Sequence, residues 1–296
     1  MDLRQALFQT DRVLLNYAEG PPNGPAFVLL HGGAARWQYG EALLEILVNG
    51  WHVYAPDFRG HGHSGRVAGA YGLREYVRDT TAFLEGLVRE PAIVYGHSLG
   101  GEVAVMLAAE HPELIAALIV GDAPLSIKHH LTEEPAEHRA QNLLWQTLCG
   151  RPVDEIEAAI RSMPIYVPSE NVARPASEVL GNESPFFPHQ AVSLHLLDPD
   201  MLAAVNAGPL PMLDGYEPET LLPAISCPVL LLQADPMQGN ALSDADVTLA
   251  LNLLPNATVL RLDGLGHPLH GPQPRRIAEA IMPFLSSLCH GTLLSA

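Results

Sequence analysis

Four short apolar runs without polar alternation constrain this chain most: AFVLL (26–30), AIVYG (92–96), ALIVGD (117–122) and PVLLLQAD (228–235). A strand with one wet face alternates polar and apolar residues, whereas an unalternating run reads as a strand covered on both faces. Such strands need helices above and below them, and helical patterns stand between them at 41–50, 75–88, 103–111, 244–255 and 272–288. Further strands are expected at 13–19, 52–57 and 257–264. Strand and helix in strict succession imply an α/β fold with a parallel sheet flanked by helices.

The succession breaks between about Ala123 and Glu219, where prolines and helical patterns (133–150, 153–163) replace buried strands. A structureless loop of that length is improbable in a compact domain. The segment is therefore expected to be an inserted, mainly helical lid over 123–219, with a core domain formed by 1–122 and 220–296. Composition bounds the function. With 16 Lys plus Arg against 33 Asp plus Glu, the net charge is −17 over 296 residues. That surface is unsuited to nucleic acid and to anionic membranes. No apolar run reaches a membrane span, and the N-terminus lacks the pattern of a secretory signal. Three cysteines without CxxC spacing argue against a disulfide framework or structural zinc, so a cytoplasmic location is expected. A small-molecule partner remains as the expectation, while the oligomeric state is not legible.

The sharpest motif is Gly96-His97-Ser98-Leu99-Gly100-Gly101, a GxSxG with a strand before it and a helix after it. This is the context of a nucleophile elbow, in which a strained turn lifts the serine above the sheet at a helix N-terminus. Side chains at Gly96 and Gly100 would collide with so tight a turn.

Three further motifs follow the order of a known family: His31-Gly32-Gly33 after AFVLL, Asp57-Phe58-Arg59-Gly60-His61-Gly62-His63-Ser64, and Gly264-Leu265-Gly266-His267. With them the chain resembles the α/β-hydrolase superfamily over nearly its whole length. The resemblance implies an eight-stranded, mostly parallel sheet with the lid after the sixth strand. A serine hydroxyl needs a base, and His267, in the glycine-flanked loop after the last strand, is the best candidate, with His270 the alternative. The family commonly carries the acid just beyond the seventh strand. Asp235 is the first choice there, although the commonest spacing falls on Met237. Asp122, at the end of the sixth strand, is the alternative, a position that some relatives use. Asp244 and Asp246 open a helix, where capping explains them. The backbone amides of Gly33 and Leu99 are expected to form an oxyanion hole. Trp37, Trp145, Met163, Tyr166, Phe186 and Phe187 are candidate substrate-binding residues, together with Met201 and Met212.

The expected chemistry is cleavage of a small carboxylic ester or lactone through an acyl-enzyme, without a cofactor. C–C bond hydrolysis and cofactor-free perhydrolysis on the same residues are alternatives. A ligand-binding protein with a weakened triad is another. The HxH pair His61/His63 reads as loop structure rather than a metal site. His129 and His130 lack further ligands at metal spacing, and neither GxGxxG after a strand nor GxxxxGK[ST] is present.

Overall fold

A computed structural model describes residues 3–126, 136–167, 172–208 and 212–290. The expected apolar runs are strands: β1 (Arg4–Gln9), β2 (Leu14–Glu19), β3 (Ala26–Leu30), β4 (His52–Pro56), β5 (Ala92–His97) and β6 (Ile115–Gly121). Between them lie helices α1 (Glu41–Leu47), α2 (Leu73–Phe83) and α3 (Leu99–Glu110). Every residue of β3 and of β5 is buried, as unalternating runs require. The expected helix over 75–88 starts at Leu73 and widens into a π-turn at Leu84–Val88, which ends at Arg89 with φ 62°.

After β6 come α4 (Ala136–Leu148), α5 (Val153–Ser162), an antiparallel hairpin of β7 (Pro164–Val167) and β8 (Val172–Pro175), α6 (Ala176–Leu180), α7 (Phe186–Leu196), α8 (Pro199–Asn206) and α9 (Pro218–Ala224). The sheet resumes with β9 (Val229–Ala234), α10 (Asp244–Leu253), β10 (Ala257–Leu262) and α11 (Pro274–His290). Three strands escape the sequence patterns. Strand β1 is largely exposed and polar, β8 is exposed throughout, and the four-residue β7 pairs with β8 inside the segment expected to be helical.

The eight-stranded sheet has the order β1-β2-β4-β3-β5-β6-β9-β10. β1–β2 and β2–β4 are antiparallel and all other neighbours are parallel. Two apolar clusters cover its faces. One joins α2 and α3 to β3, β5 and β6, and the other packs α1 and α11 against β3, β4, β5 and β9. Because β5, β6 and β9 are parallel neighbours, their C-terminal ends emerge side by side. In open parallel sheets this edge is where ligand sites form. No described helix is long and apolar enough to cross a membrane.

Candidate active site

At the end of β5 the chain turns directly into α3, and Ser98 occupies the turn with φ 52° and ψ −122°. This region disfavours any L-residue with a side chain, so the surroundings must hold it. They do so through close backbone approach. A Cβ at Gly96 would lie 2.1 Å from Gly100 O, and one at Gly100 would lie 2.3 Å from Leu30 O. Ser98 N donates to Gly121 O at 3.0 Å, which ties the turn to the end of β6.

The next residue, Asp122, is fully buried and itself has φ 44°. Its Oδ1 accepts from Ala234 N (3.0 Å) and Leu242 N (3.2 Å), and its Oδ2 accepts from Ala241 N at 2.8 Å. Oδ2 also accepts from His267 Nδ1 at 2.7 Å. A carboxylate acceptor requires the proton on Nδ1, which leaves Nε2 with its lone pair. Burial disfavours the Asp122 anion, but the His267 bond and charge, with the Ala241 and Ala234 amides, outweigh it and hold the carboxyl below its usual value.

Asp235, the acid expected first, is not brought to His267. It caps a short 3₁₀ turn, accepting from Met237 N (2.8 Å) and Gly264 N (2.7 Å). These amides lower its pKa on the exposed surface. The side chain of Met237, at the position of commonest spacing, is 81% exposed. The structure thus pairs His267 with the alternative, Asp122, while the β9 turn meets the same loop through Asp235 N to Leu265 O (2.7 Å) and His267 N to Gly239 O (2.8 Å), with the Asp235 carboxylate spent on Met237 N and Gly264 N. Asp246 forms a capping box with Ser243, and Asp244 accepts from Gln233 and Arg261.

His97 joins the elbow to the histidine loop. Its Nε2–H donates to His267 O at 2.8 Å, and the two rings lie 4.9 Å apart. Burial, followed by the charge of His267, lowers the His97 pKa. His270, the alternative base, is fully buried against Tyr95, whose hydroxyl lies 3.1 Å from His270 Nδ1; burial keeps it neutral.

The His31-Gly32-Gly33 turn faces the serine. A Cβ on Gly32 would stand 3.3 Å from Ser98 Cβ, and one on Gly33 would stand 4.0 Å from Leu99 Cδ2 and 3.5 Å from Met201 Cε. Buried imidazoles brace the turn. His31 Nδ1–H donates to Gly32 O at 2.7 Å, and its Nε2 accepts from Phe58 N at 3.0 Å. His61 Nδ1–H donates to Arg59 O at 2.9 Å while its Nε2 accepts from Ala34 N at 3.2 Å. Burial lowers the pKa of His31 to about 4 and that of His61 to about 3, so both serve as neutral hydrogen-bonding groups. The Asp57–Ser64 loop is locked in turn: Asp57 accepts from Asn16, Trp37 N and His63 N, and Arg59 grips Asp79 with two bonds of 2.6 and 2.7 Å.

A cavity of about 1220 Å³ opens beside His267. Trp145, Met163 and Phe186 line it as expected. Trp37 does not: it is buried with Leu29, Leu43 and Leu44 beneath α1, where a large aromatic fills the core. Phe187 is also absent from the wall. It is buried under the Arg161 guanidinium, 4.4 Å from its ring centre. Tyr166 belongs to β7, but its side chain lies outside the described residues. Met212 packs partly buried against the core. The sequence patterns missed the stretch Gln38, Tyr39, Glu41, Ala42 and Glu45, which lines the opposite wall. Its only sequence signal is that it follows the HG turn by a few residues. The pair His129/His130 lies outside the described residues, and among those described no cluster of three or more His, Cys, Asp or Glu could hold a metal.

Residues 25–148 match the family model described as alpha/beta hydrolase fold. An enol-lactonase from Burkholderia xenovorans LB400 superposes with a TM-score of 0.72 at 18% identity, covering 95% of this chain and 100% of that one. The chain has the α/β-hydrolase fold. Among curated relatives, a 2-(acetamidomethylene)succinate hydrolase from Mesorhizobium japonicum is 32% identical over 38% of this chain and 40% of its own length. A serine hydrolase-like protein from Danio rerio is 36% identical over 35% of this chain and 32% of its own. The matched region thus spans 40% or less of these relatives.

Proposed function

We propose that the protein is a serine hydrolase that cleaves carboxylic esters or lactones through an acyl-enzyme. The observation that carries this reading is the 2.7 Å bond from His267 Nδ1–H to buried Asp122, beside a strained serine whose amide is bonded to Gly121 O, the residue before Asp122. In this reading His267 Nε2 takes the Ser98 proton as Oγ attacks the carbonyl, and Asp122 stabilises the imidazolium that results. The amides of Leu99, at the start of α3, and of Gly33 receive the oxyanion, each worth about 3 kcal/mol of transition-state stabilisation. His267 then protonates the leaving alkoxide, and water activated by the same nitrogen releases the acid. The lactonase and hydrolase names of the relatives agree with acyl chemistry. The helices between β6 and β9 act as a lid, since Trp145, Met163 and Phe186 supply cavity wall from that segment.

The test is p-nitrophenyl butyrate hydrolysis by wild type and Ser98→Ala. Wild type is expected to show a burst of nitrophenol and steady turnover, and Ser98→Ala to fall by a factor on the order of 10⁴ or more. Equal rates in the two proteins would end the reading.

A further inference from the structure

Glu41 and Glu45 stand one helical turn apart on α1, and both line the cavity that His267 borders. The facing wall is built from apolar and aromatic side chains, including Leu144, Trp145, Met163, Ile165 and Phe186. Among the described lining residues there is no Lys or Arg. Arg36, whose charge interacts with those of Asp57 and Glu41, is not part of the wall. At about 1220 Å³ the cavity is also larger than the roughly 300–1,000 Å³ of ordinary small-ligand sites.

Resting on the hydrolase reading above, we propose that the site takes esters with long, apolar, uncharged acyl chains, and that Glu41 and Glu45 reject chains ending in a carboxylate. An acetyl group would leave most of the apolar wall unfilled. Each added methylene that becomes buried strengthens binding by roughly three- to fourfold. A terminal carboxylate would instead approach half-buried Glu41 and exposed Glu45, while the lining His189, which burial holds toward its neutral form, offers little positive charge to pair with. Low-dielectric walls focus such repulsion. The net charge of −17 adds to it at longer range. Specificity would thus come from a repulsive element as well as an attractive one.

The test compares p-nitrophenyl heptanoate with its near-isosteric partner, the p-nitrophenyl monoester of adipic acid. At low salt kcat/KM is expected to favour the heptanoate by roughly 30-fold or more. The ratio should narrow several-fold both in 0.5 M NaCl and in the Glu41→Gln/Glu45→Gln double variant, because screening and charge removal weaken the same repulsion. Heptanoate should also exceed acetate, mainly through a lower KM. Calorimetric binding of the two long esters to Ser98→Ala ranks them without turnover, so charge selection is read even if the hydrolase reading fails. Adipate and heptanoate within threefold of each other, in turnover or in binding, would overturn the inference. So would a ratio that neither salt nor the double variant moves.

Discussion

Asp122 carries the largest consequence of any single side chain. All the partners that fix its carboxylate, apart from His267, are backbone amides: Ala234, Ala241 and Leu242. Asp122→Asn keeps the shape but presents an amide that can donate toward Nδ1, favouring the wrong imidazole tautomer. Its kcat on p-nitrophenyl butyrate is expected to fall on the order of 10⁴-fold, while Asp235→Asn stays within about threefold, because that side chain only caps a surface turn. Steady-state kinetics of the two variants check this, and the reverse order would return the acid role to Asp235. The pairing also marks where sequence reading stopped. Ser98 and His267 stand in glycine-framed motifs whose residue types announce them. Asp122 has no such frame, since amide groups are common to every residue and leave no trace in the side-chain order.

The elements were legible in proportion to how strongly each buries itself. Strands β3, β5 and β9 are buried along their whole length and coincide with the apolar runs to within one or two residues. β8 is exposed throughout, and β1 brings only Ala6 and Phe8 half-buried against the core, so neither carries a buried apolar run. The cavity wall was half legible for a similar reason. Trp145 and Phe186 are aromatic, but Trp37 is equally aromatic and lies in the core, because hydrophobicity does not say which neighbour covers a side chain. At the elbow the constraint is steric. Gly100→Ala would drive a methyl into the carbonyls of Leu30 and His31, at 2.3 and 2.7 Å. Urea unfolding followed by circular dichroism is expected to report a loss of about 3 kcal/mol or more. A loss below about 1 kcal/mol would mean that the turn relaxes freely.

Across the whole molecule, the buried neutral histidines set an acid limit on stability. The pKa of His31 is lowered to about 4 and that of His61 to about 3, mainly by burial, whereas an unfolded chain titrates near 6.5. Between those values the unfolded state binds protons that the native state refuses. Stability is therefore complete above about pH 6.5 and declines as pH falls toward the folded values. Between pH 6.5 and about 4.5 each of these two residues contributes on the order of 2–3 kcal/mol to that decline. Asp122 titrates below its usual value and adds its loss only at lower pH. The urea midpoint is expected to be flat from pH 8 to 7 and to drop steadily from 6.5 to 4.5. A midpoint that holds or rises over the lower window would show that relief of the −17 charge outweighs histidine protonation.

The order of elements after β6 bears on how such a protein can be remodelled. Asp122, which accepts from His267, directly follows β6, and its successor, Ala123, is packed so tightly that a Cβ on Gly101 would stand 2.5 Å from it. On the far side, α7 holds the HG turn through Gln190 Nε2–H to Ala34 O (3.0 Å), and the start of α8 holds Gly60 O through Asp198 N (2.8 Å). A chimera that borrows the helices of another protein of this fold should therefore keep Asp122 and Ala123 as its splice point and preserve the donors at 190 and 198. Within those three fixed joints, the wall of the cavity is free to be rewritten while Ser98, Asp122 and His267 stay in register.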